Sequence, residues 1–264
     1  MDSPVKVYFA SDFHLGAPNL DSSLKREKII VEWLNKIKID ATEIFLVGDV
    51  FDFWFTYKKV IPKGFTRLLG KLAEIVDSGI PIHFFSGNHD LWGLEYFQKE
   101  LGLHIHYKPI LKTWGNQTLY IGHGDGLGPG DYTYKQLKKG LFLNPFAQWA
   151  FAHLHPDFGI WLAQSWSSKS RLYGQDKEGF LGNENEWLVQ FCLEEIALRK
   201  SRGEIPVNYF IFGHRHLSLD IALNENSRYI NLGEWINSKT YGLFDGRNFE
   251  LIPLDIINNQ IIRN

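Results

Sequence analysis

Five short polar clusters contain the residues of this chain whose types best suit metal chemistry. The clusters are Asp12-Phe13-His14, Gly48-Asp49-Val50-Phe51-Asp52, Gly87-Asn88-His89-Asp90, Gly122-His123-Gly124-Asp125 and Gly213-His214-Arg215-His216. Imidazole, carboxylate and amide donors without a thiolate suit manganese or iron and also accept zinc or cobalt. One such cluster is weak evidence, because a lone buried histidine is more often a core residue than a ligand. Five in one chain predict a divalent metal site, with manganese favoured.

Two divalent cations about 3.5–4 Å apart can hold one hydroxide between them and bind the oxygens of a phosphoryl group during displacement. Asp49 is the natural bridging carboxylate. The other candidate ligands divide into Asp12, His14 and His216 for one ion and Asn88, His123 and His214 for the second. We expect Asp52, Asp90 and Asp125 to orient imidazoles or cap turns.

Each cluster directly follows an apolar run that is typical of a buried strand. The runs are Val5 to Ala10, Ile44 to Val47, Ile82 to Phe85, Leu119 to Ile121 and Tyr209 to Phe212. In an open α/β sheet, the carboxyl ends of neighbouring strands converge on one crevice. Ligands that are far apart in the sequence can therefore meet there.

The remaining pattern predicts two packed sheets with helices outside. Stripes such as Ile30, Trp33, Leu34 and Ile37 predict core-facing helices in the first half, alternating with the strands. From about Leu219 onwards the pattern changes to short strands separated by turns.

Composition excludes several classes of protein. The formal net charge of −2 argues against a nucleic-acid binder, which should carry a basic field. The single cysteine, Cys192, excludes an internal disulfide and suits a reducing compartment. The sequence shows neither a signal-peptide pattern nor an apolar run of about eighteen residues. We therefore expect a cytoplasmic protein that is at most peripheral on a membrane, and the sequence indicates no protein partner.

A long segment between the fourth and fifth clusters has helical character and is rich in aromatic and basic residues. The aromatic residues are Phe142, Phe146, Trp149, Phe151, Phe158, Trp161 and Trp166. The basic residues are Lys135, Lys138, Lys139, Lys169 and Arg171. One interpretation is a helical subdomain whose aromatic residues form its own small core. The other is a surface for an amphiphilic phosphorylated ligand or an anionic membrane.

The order and spacing of the clusters resemble those of the calcineurin-like metallophosphoesterases, over all of the chain except this segment. The resemblance implies an α/β fold, a two-sheet β-sandwich flanked by helices. It also implies a core made of residues 1–125 and 205–264, with residues 126–204 as a helical cap insertion.

Within that family, the chain looks most like the UDP-2,3-diacylglucosamine hydrolases of lipid A synthesis. The supporting features are the run from Ile44 to Trp54, the His123-Gly124-Asp125 loop followed by Asp131 and Tyr134, and the insertion before Gly213. The resemblance implies that the insertion caps the site and receives acyl chains, and that Asp131, Tyr134, Ser168 and Lys169 contact the substrate. We expect Phe142, Phe146 and Trp149 to line the acyl cavity.

Asn88 and His89 are the predicted catalytic residues. His89 stands where the better-known lipid A hydrolases carry arginine, and histidine is the pattern of the broader family. For a pyrophosphate, an imidazolium can place positive charge near the leaving phosphate as a guanidinium would. For an alkoxide leaving group, His89 would instead be needed as a proton donor.

The clusters predict a dinuclear phosphohydrolase, and the resemblance implies that it cleaves UDP-2,3-diacylglucosamine, a lipid-linked sugar nucleotide, to UMP and 2,3-diacylglucosamine 1-phosphate. Three alternatives are open: a hydrolase of another nucleotide or phosphodiester, a phosphoprotein phosphatase, and a non-catalytic scaffold of the same fold. The cavity between insertion and metal site discriminates among them, since an apolar tunnel favours lipid and a polar bowl does not.

Overall fold

A computed structural model describes residues 5–129, 135, 136, 140, 142, 144–174, 179, 180, 182–254, 256, 257, 260 and 261, excluding the side chains of 168–174 and of residues after 254. The helices are α1 (Leu20–Ile37), α2 (Thr66–Asp77), α3 (Glu95–Leu101), α4 (Pro145–Ala152), α5 (Pro156–Gly174) and α6 (Trp187–Ser201). The strands are β1 (Val7–Ala10), β2 (Glu43–Leu46), β3 (Ile82–Phe85), β4 (His104–His106), β5 (Ile110–Trp114), β6 (Gln117–Ile121), β7 (Tyr209–Phe212), β8 (Ser218–Ala222), β9 (Arg228–Leu232), β10 (Thr240–Phe244), β11 (Phe249–Pro253), β12 (Ile256–Ile257) and β13 (Gln260–Ile261).

Two sheets contain most of these strands. The first has the order β11-β10-β1-β2-β3-β4, in which β1 to β4 run parallel and β10 and β11 are antiparallel additions. The second has the order β5-β6-β7-β9-β8, with parallel pairing of β7 to both β6 and β9. Strands β12 and β13 form a separate hairpin.

The sheets pack face to face because the parallel strands are apolar on both sides. In β1, Val7 and Phe9 face the second sheet, whereas Tyr8 and Ala10 face the layer of helices α1 to α3. On the far side of the second sheet, α6 buries Leu188 and other side chains against β7 and β9. The result is the predicted two-sheet sandwich flanked by helices.

Helices α4, α5 and α6 all belong to the segment predicted as a helical insertion, but they pack in different places. The α6 helix covers the second sheet. In contrast, Phe151 of α4 contacts Phe53 and Phe55, which lie in the loop after β2. The division of the chain into a core and an insertion of 126–204 remains a prediction.

Among the described residues, no helix has the length and apolar character needed to span a membrane.

Candidate metal centre

The carboxyl ends of five strands bring the five polar clusters together. Asp12, Asp49 and Asn88 follow β1, β2 and β3 of the first sheet, and His123 and His214 follow β6 and β7 of the second. The centre therefore lies at one end of the sandwich, between the carboxyl ends of parallel strands from both sheets. A crevice in a single open sheet would have placed fewer of these residues together.

One group of candidate ligands contains Asp12, His14, Asp49 and His216. Their donor atoms all lie within 4.8 Å of one another. His14 Nε2 lies 3.0 Å from His216 Nε2, and Asp12 Oδ1 lies 3.5 Å and 3.2 Å from these two nitrogens. Such a convergence of imidazole and carboxylate atoms has the spacing of ligands around one cation.

The second group contains Asn88, His123 and His214. Asn88 Oδ1 lies 3.1 Å from His123 Nε2 and 2.9 Å from His214 Nδ1. Asp49 belongs to both groups, because its Oδ2 lies 3.8 Å from His14 Nε2 and 3.4 Å from His123 Nε2. All seven residues predicted as ligands are thus brought into two adjoining groups with Asp49 between them.

The chemistry of this donor set fits divalent cations. Asp12 and Asp49 are almost completely buried, and burying carboxylates without compensation is costly. Asp12 Oδ1 accepts no hydrogen bond from any described residue, although it faces two imidazoles. A cation among these oxygen and nitrogen atoms would satisfy it.

The backbone at the centre is strained. Five of the seven candidate ligands have left-handed φ angles: Asp12 (55°), His14 (45°), Asp49 (52°), His214 (68°) and His216 (54°). Non-glycine residues in this region cost roughly 1–3 kcal/mol each and persist only where the surroundings enforce them. Here the strained turns direct consecutive polar side chains into one small volume.

Three glycines permit the close approach of the loops. A Cβ at Gly48 would collide with the ring of His123, one at Gly87 with the carboxylate of Asp49, and one at Gly213 with Ser11 and Asp12. The glycine at the start of each of these clusters is therefore a packing requirement of the centre.

Two buried side chains hold the ligand loops. The Asp90 carboxylate accepts backbone hydrogen bonds from Gly87 (2.8 Å) and Val50 (2.8 Å), so it joins the loops after β3 and β2. Arg26 of α1 donates to the carbonyl oxygens of Phe13 (2.7 Å), His14 (2.6 Å) and Ala17 (2.6 Å). Arg26 thus fixes the loop that carries His14.

Burial and charge set the protonation of the imidazoles. Burial lowers the pKa of His14 and of His214 to about 4, so both rings are neutral near pH 7. Burial acts on His123 in the same direction, but the Asp49 carboxylate outweighs it and raises the pKa of His123 to about 10. Without a metal ion, His123 therefore keeps a proton that coordination must displace.

His89 lies beside both ligand groups and contacts the helical segment. Its backbone N–H donates to Asp49 Oδ1 (2.9 Å), and its ring centroid lies 4.9 Å from that of His14. Its Nδ1 lies 3.1 Å from the carbonyl oxygen of Asp52 and 3.0 Å from Ser167 Oγ of α5. A ring that donates through Nδ1 keeps Nε2 for a substrate.

An apolar cavity of about 500 Å³ opens onto Asn88 and His89. It lies between α4, α5 and the loops after β2 and β3. Its apolar lining is Phe53, Trp54, Leu91, Trp92, Phe142, Ala147, Ala150, Phe151, Leu154, Leu162, Ala163 and Trp166, and its remaining lining residues are Asp52, Asn88, His89 and Ser167. A hydrogen bond of 2.7 Å from Trp92 Nε1 to the Phe142 carbonyl joins its two walls.

The expectation for Phe146 and Trp149 is wrong. Phe142 lines the cavity, but the side chains of Phe146 and Trp149 are 72% and 57% exposed and lie outside it. They stack on each other on the outer surface of α4, with centroids 5.7 Å apart. Helical periodicity explains this, since α4 directs Ala147, Ala150 and Phe151 towards the cavity and turns the intervening residues outwards.

The predicted substrate contacts Asp131 and Tyr134 lie outside the described residues, as do the side chains of Ser168 and Lys169. The structure adds Ser167, Trp92 and Arg26 as residues around the centre. The sequence did not identify them, because their contacts with the centre depend on how α1 and α5 pack against the loops after the strands. Only the spacing of Ala163, Trp166 and Ser167 on one face of α5 hinted at this in the sequence.

Comparison with known proteins gives a consistent result. The model of the calcineurin-like phosphoesterase family matches residues 5–218. A UDP-2,3-diacylglucosamine hydrolase of Porphyromonas gingivalis is 39% identical to the chain, over 95% of this chain and 98% of the relative. Proteins of the same name from Actinobacillus succinogenes and Histophilus somni are 26% and 25% identical, each over 87% of this chain and 92% of the relative.

Proposed function

The chain belongs to the calcineurin-like phosphoesterase family, and from that membership we propose that it hydrolyses UDP-2,3-diacylglucosamine to UMP and 2,3-diacylglucosamine 1-phosphate. That it is a metal-dependent phosphohydrolase follows from the family and from the buried His/Asp cluster. The substrate rests on one further observation, which is the apolar cavity that opens beside the polar centre.

The cavity suits a diacylated substrate in both size and lining. Its volume of about 500 Å³ lies within the usual range of ligand pockets, about 300–1,000 Å³. A lipid-linked sugar nucleotide must present its pyrophosphate to polar ligands while its acyl chains leave water. The walls contributed by Phe142, Phe151 and Trp166 supply the apolar surface within reach of Asn88 and His89.

Two divalent cations, with manganese favoured, would be held by the seven candidate ligands. Asp12, His14 and His216 would hold one, and Asn88, His123 and His214 the other, with Asp49 shared. Bound there, the ions would supply a hydroxide and neutralise charge on the phosphoryl oxygens. The absence of a thiolate in this set is the reason for favouring manganese or iron.

His89 and Asn88 have the proposed catalytic roles. Asn88 presents its amide oxygen between His123 and His214. His89 donates through Nδ1 to the Asp52 carbonyl, which directs Nε2 away from that loop; in the imidazolium form, Nε2 also bears a proton that can be directed to the bridging oxygen of the pyrophosphate. As the P–O bond to that oxygen breaks, the departing phosphate gains negative charge, which an imidazolium stabilises.

The remaining parts of the proposal concern substrate contacts and location. Asp131, Tyr134, Ser168 and Lys169 are proposed to contact the sugar and phosphates. A cytoplasmic enzyme with a lipid-linked substrate must meet a membrane, and peripheral contact with the inner membrane is part of the proposal. The exposed stacked pairs Phe146–Trp149 and Phe158–Trp161 on α4 and α5 support such contact.

The cavity also weighs against the alternatives. A hydrolase of soluble nucleotides or phosphodiesters has no use for an aromatic cavity at its centre, and a phosphoprotein phosphatase needs an open groove where α5 contacts His89. A non-catalytic scaffold has no need of a complete set of converging ligands.

The test compares kcat/KM for UDP-2,3-diacylglucosamine with that for UDP-N-acetylglucosamine. Each buried methylene should contribute up to about 0.8 kcal/mol, so we expect a large preference for the diacylated substrate. Ala150→Phe, which fills the cavity, should reduce that preference, whereas Ala152→Phe on the exposed side of the same helix should not. A ratio of the two kcat/KM values near one in the wild type would contradict the proposed substrate.

A further inference from the structure

A second hollow, distinct from the apolar cavity, adjoins that cavity at Asp52, beside the candidate metal centre. It has a volume of about 500 Å³ and lies between the turn at Gly16, the start of α1 and helix α5. The side chains that give it chemical character are Asn19, Leu20, Asp21, Asp52 and Gln164. We call it the polar hollow.

Asp52 lines both the polar hollow and the apolar cavity, so the two adjoin at the candidate centre. Its Oδ1 lies 3.9 Å from His14 Nδ1 and 3.8 Å from His89 Nδ1. Helix α5 forms part of both walls, since Gln164 contributes to the polar hollow and Ala163 to the apolar cavity. A substrate whose phosphates lie at the centre can therefore extend into both.

The lining of the polar hollow selects a neutral, hydroxyl-rich group. Asp21 and Asp52 are carboxylates, and none of the described residues that line the hollow is basic. This charge disfavours a phosphate and the polarity disfavours an acyl chain. Carboxylates accept hydrogen bonds from sugar hydroxyls, as they do from ribose in dinucleotide sites. The Gln164 amide can pair with a group that both donates and accepts.

Leu20 adds an apolar surface to this polar lining. Its side chain is 71% exposed at the edge of the hollow, where a flat ring could cover it. The neighbouring backbone is held in place, because Asn19 Oδ1 accepts from Ser22 N (2.9 Å) and Gly16 N donates to Ser23 Oγ (2.8 Å). A preformed wall reduces the entropy lost when a ligand binds.

We propose that the polar hollow binds the uridine nucleoside of the substrate, an inference that rests on the proposed function. In this arrangement the acyl chains occupy the apolar cavity and the pyrophosphate lies at the metal centre. The nucleoside must therefore bind a surface that belongs to neither of them. The glucosamine is excluded because its acyl chains are attached directly to it and keep it at the mouth of the apolar cavity. Asp21 then accepts from the ribose hydroxyls, Gln164 pairs with the uracil edge, and Leu20 packs on its face.

The test measures how strongly UMP, inorganic phosphate and glucosamine 1-phosphate inhibit hydrolysis of bis(p-nitrophenyl) phosphate by the manganese-loaded full chain. This reporter needs no acyl chain or nucleoside, so the test does not depend on turnover of UDP-2,3-diacylglucosamine. We expect UMP to inhibit at least about tenfold more strongly than phosphate. Gln164→Ala and Leu20→Ala should each reduce that advantage by about three- to tenfold, the effect of one lost contact.

Leu24→Ala is the matched control, since Leu24 is exposed on the same helix and does not line the hollow; it should keep the full advantage of UMP. Equal inhibition by UMP and phosphate in the wild type would overturn the inference, as would an undiminished advantage in both variants. If the variants weaken glucosamine 1-phosphate instead of UMP, the sugar occupies the hollow and the inference is wrong. Failure of the proposed function would appear separately, as absence of UMP release from UDP-2,3-diacylglucosamine.

Discussion

At the scale of single residues, the centre depends on backbone conformations that are rare for the residues that adopt them. Asp and His tolerate left-handed φ angles better than β-branched residues do, yet five such angles in one site need external support. Asp90 and Arg26 supply part of it through hydrogen bonds to the ligand loops. Ligand type is therefore visible in the sequence, whereas ligand geometry is set by residues elsewhere.

His89 provides the residue-scale prediction. His89→Ala should keep both metal ions, because its side chain belongs to neither proposed ligand group, and should lower kcat by roughly two to four orders of magnitude if it transfers a proton. His89→Arg should retain much more activity on a pyrophosphate than on an alkyl phosphodiester, because a guanidinium supplies charge without an easily transferred proton. Metal analysis together with kinetics on both substrates checks this. If His89→Arg lost activity equally on the pyrophosphate and on the alkyl phosphodiester, the leaving-group argument would be wrong.

At the scale of elements, the sequence predicted the strands well and the packing of the helices poorly. Strands Ile82–Phe85 and Tyr209–Phe212 lie where the apolar runs predicted them, since buried parallel strands need continuous apolar residues. The packing of α6 on the second sheet was not predicted, because its apolar residues look the same whichever surface they cover. The outward direction of Phe146 and Trp149 could not be predicted either, because the sequence does not show which face of α4 lines the cavity.

Arg26 gives the prediction at this scale, because it joins α1 to the loop after β1. Arg26→Met should remove a donor from three buried carbonyl oxygens, of which that of His14 keeps the Ala17 N–H, and should loosen the loop of His14. Manganese binding should weaken by about ten- to a hundredfold as a result. Lys25→Met, at an exposed neighbouring position of α1, should bind manganese as the wild type does. Calorimetric titration of both variants, with circular dichroism to confirm folding, makes the comparison. Wild-type affinity in a folded Arg26→Met protein would rule out this bracing role.

At the scale of the whole molecule, one end of the sandwich combines three environments. The candidate centre lies where strands from both sheets end, and the apolar cavity and the polar hollow adjoin beside it at Asp52. Helix α5 borders both and contacts the centre through Ser167. A substrate with a lipid end, a pyrophosphate and a nucleoside matches these three environments, whereas a simple phosphoester would use only the centre.

The folded protein also couples metal binding to stability and to pH. Without metal, the raised pKa of His123, about 10 against an ordinary 6.5, means that its pairing with Asp49 stabilises the fold fully below pH 6.5, and this stabilisation is lost as the pH rises towards 10. Coordination must displace that proton, so apparent manganese affinity should rise by at least about tenfold per pH unit between pH 6 and 8. His216 adds to the slope at the lower end of this range, because burial lowers its pKa but the Asp12 carboxylate outweighs burial and raises it. His14 and His214, with pKa values of about 4, should contribute no proton there.

The increase in melting temperature that manganese causes should accordingly be larger at pH 8 than at pH 6 at one fixed metal concentration, since a ligand of the folded state stabilises according to its concentration relative to Kd. Thermal unfolding with manganese and with a chelator, at both pH values, measures the difference. Calorimetry in buffers of different ionisation enthalpy counts the protons released. A manganese affinity that is the same at pH 6 and pH 8, with no proton released, would show that both His123 and His216 are already neutral before the metal binds and that Asp49 does not hold a proton on His123.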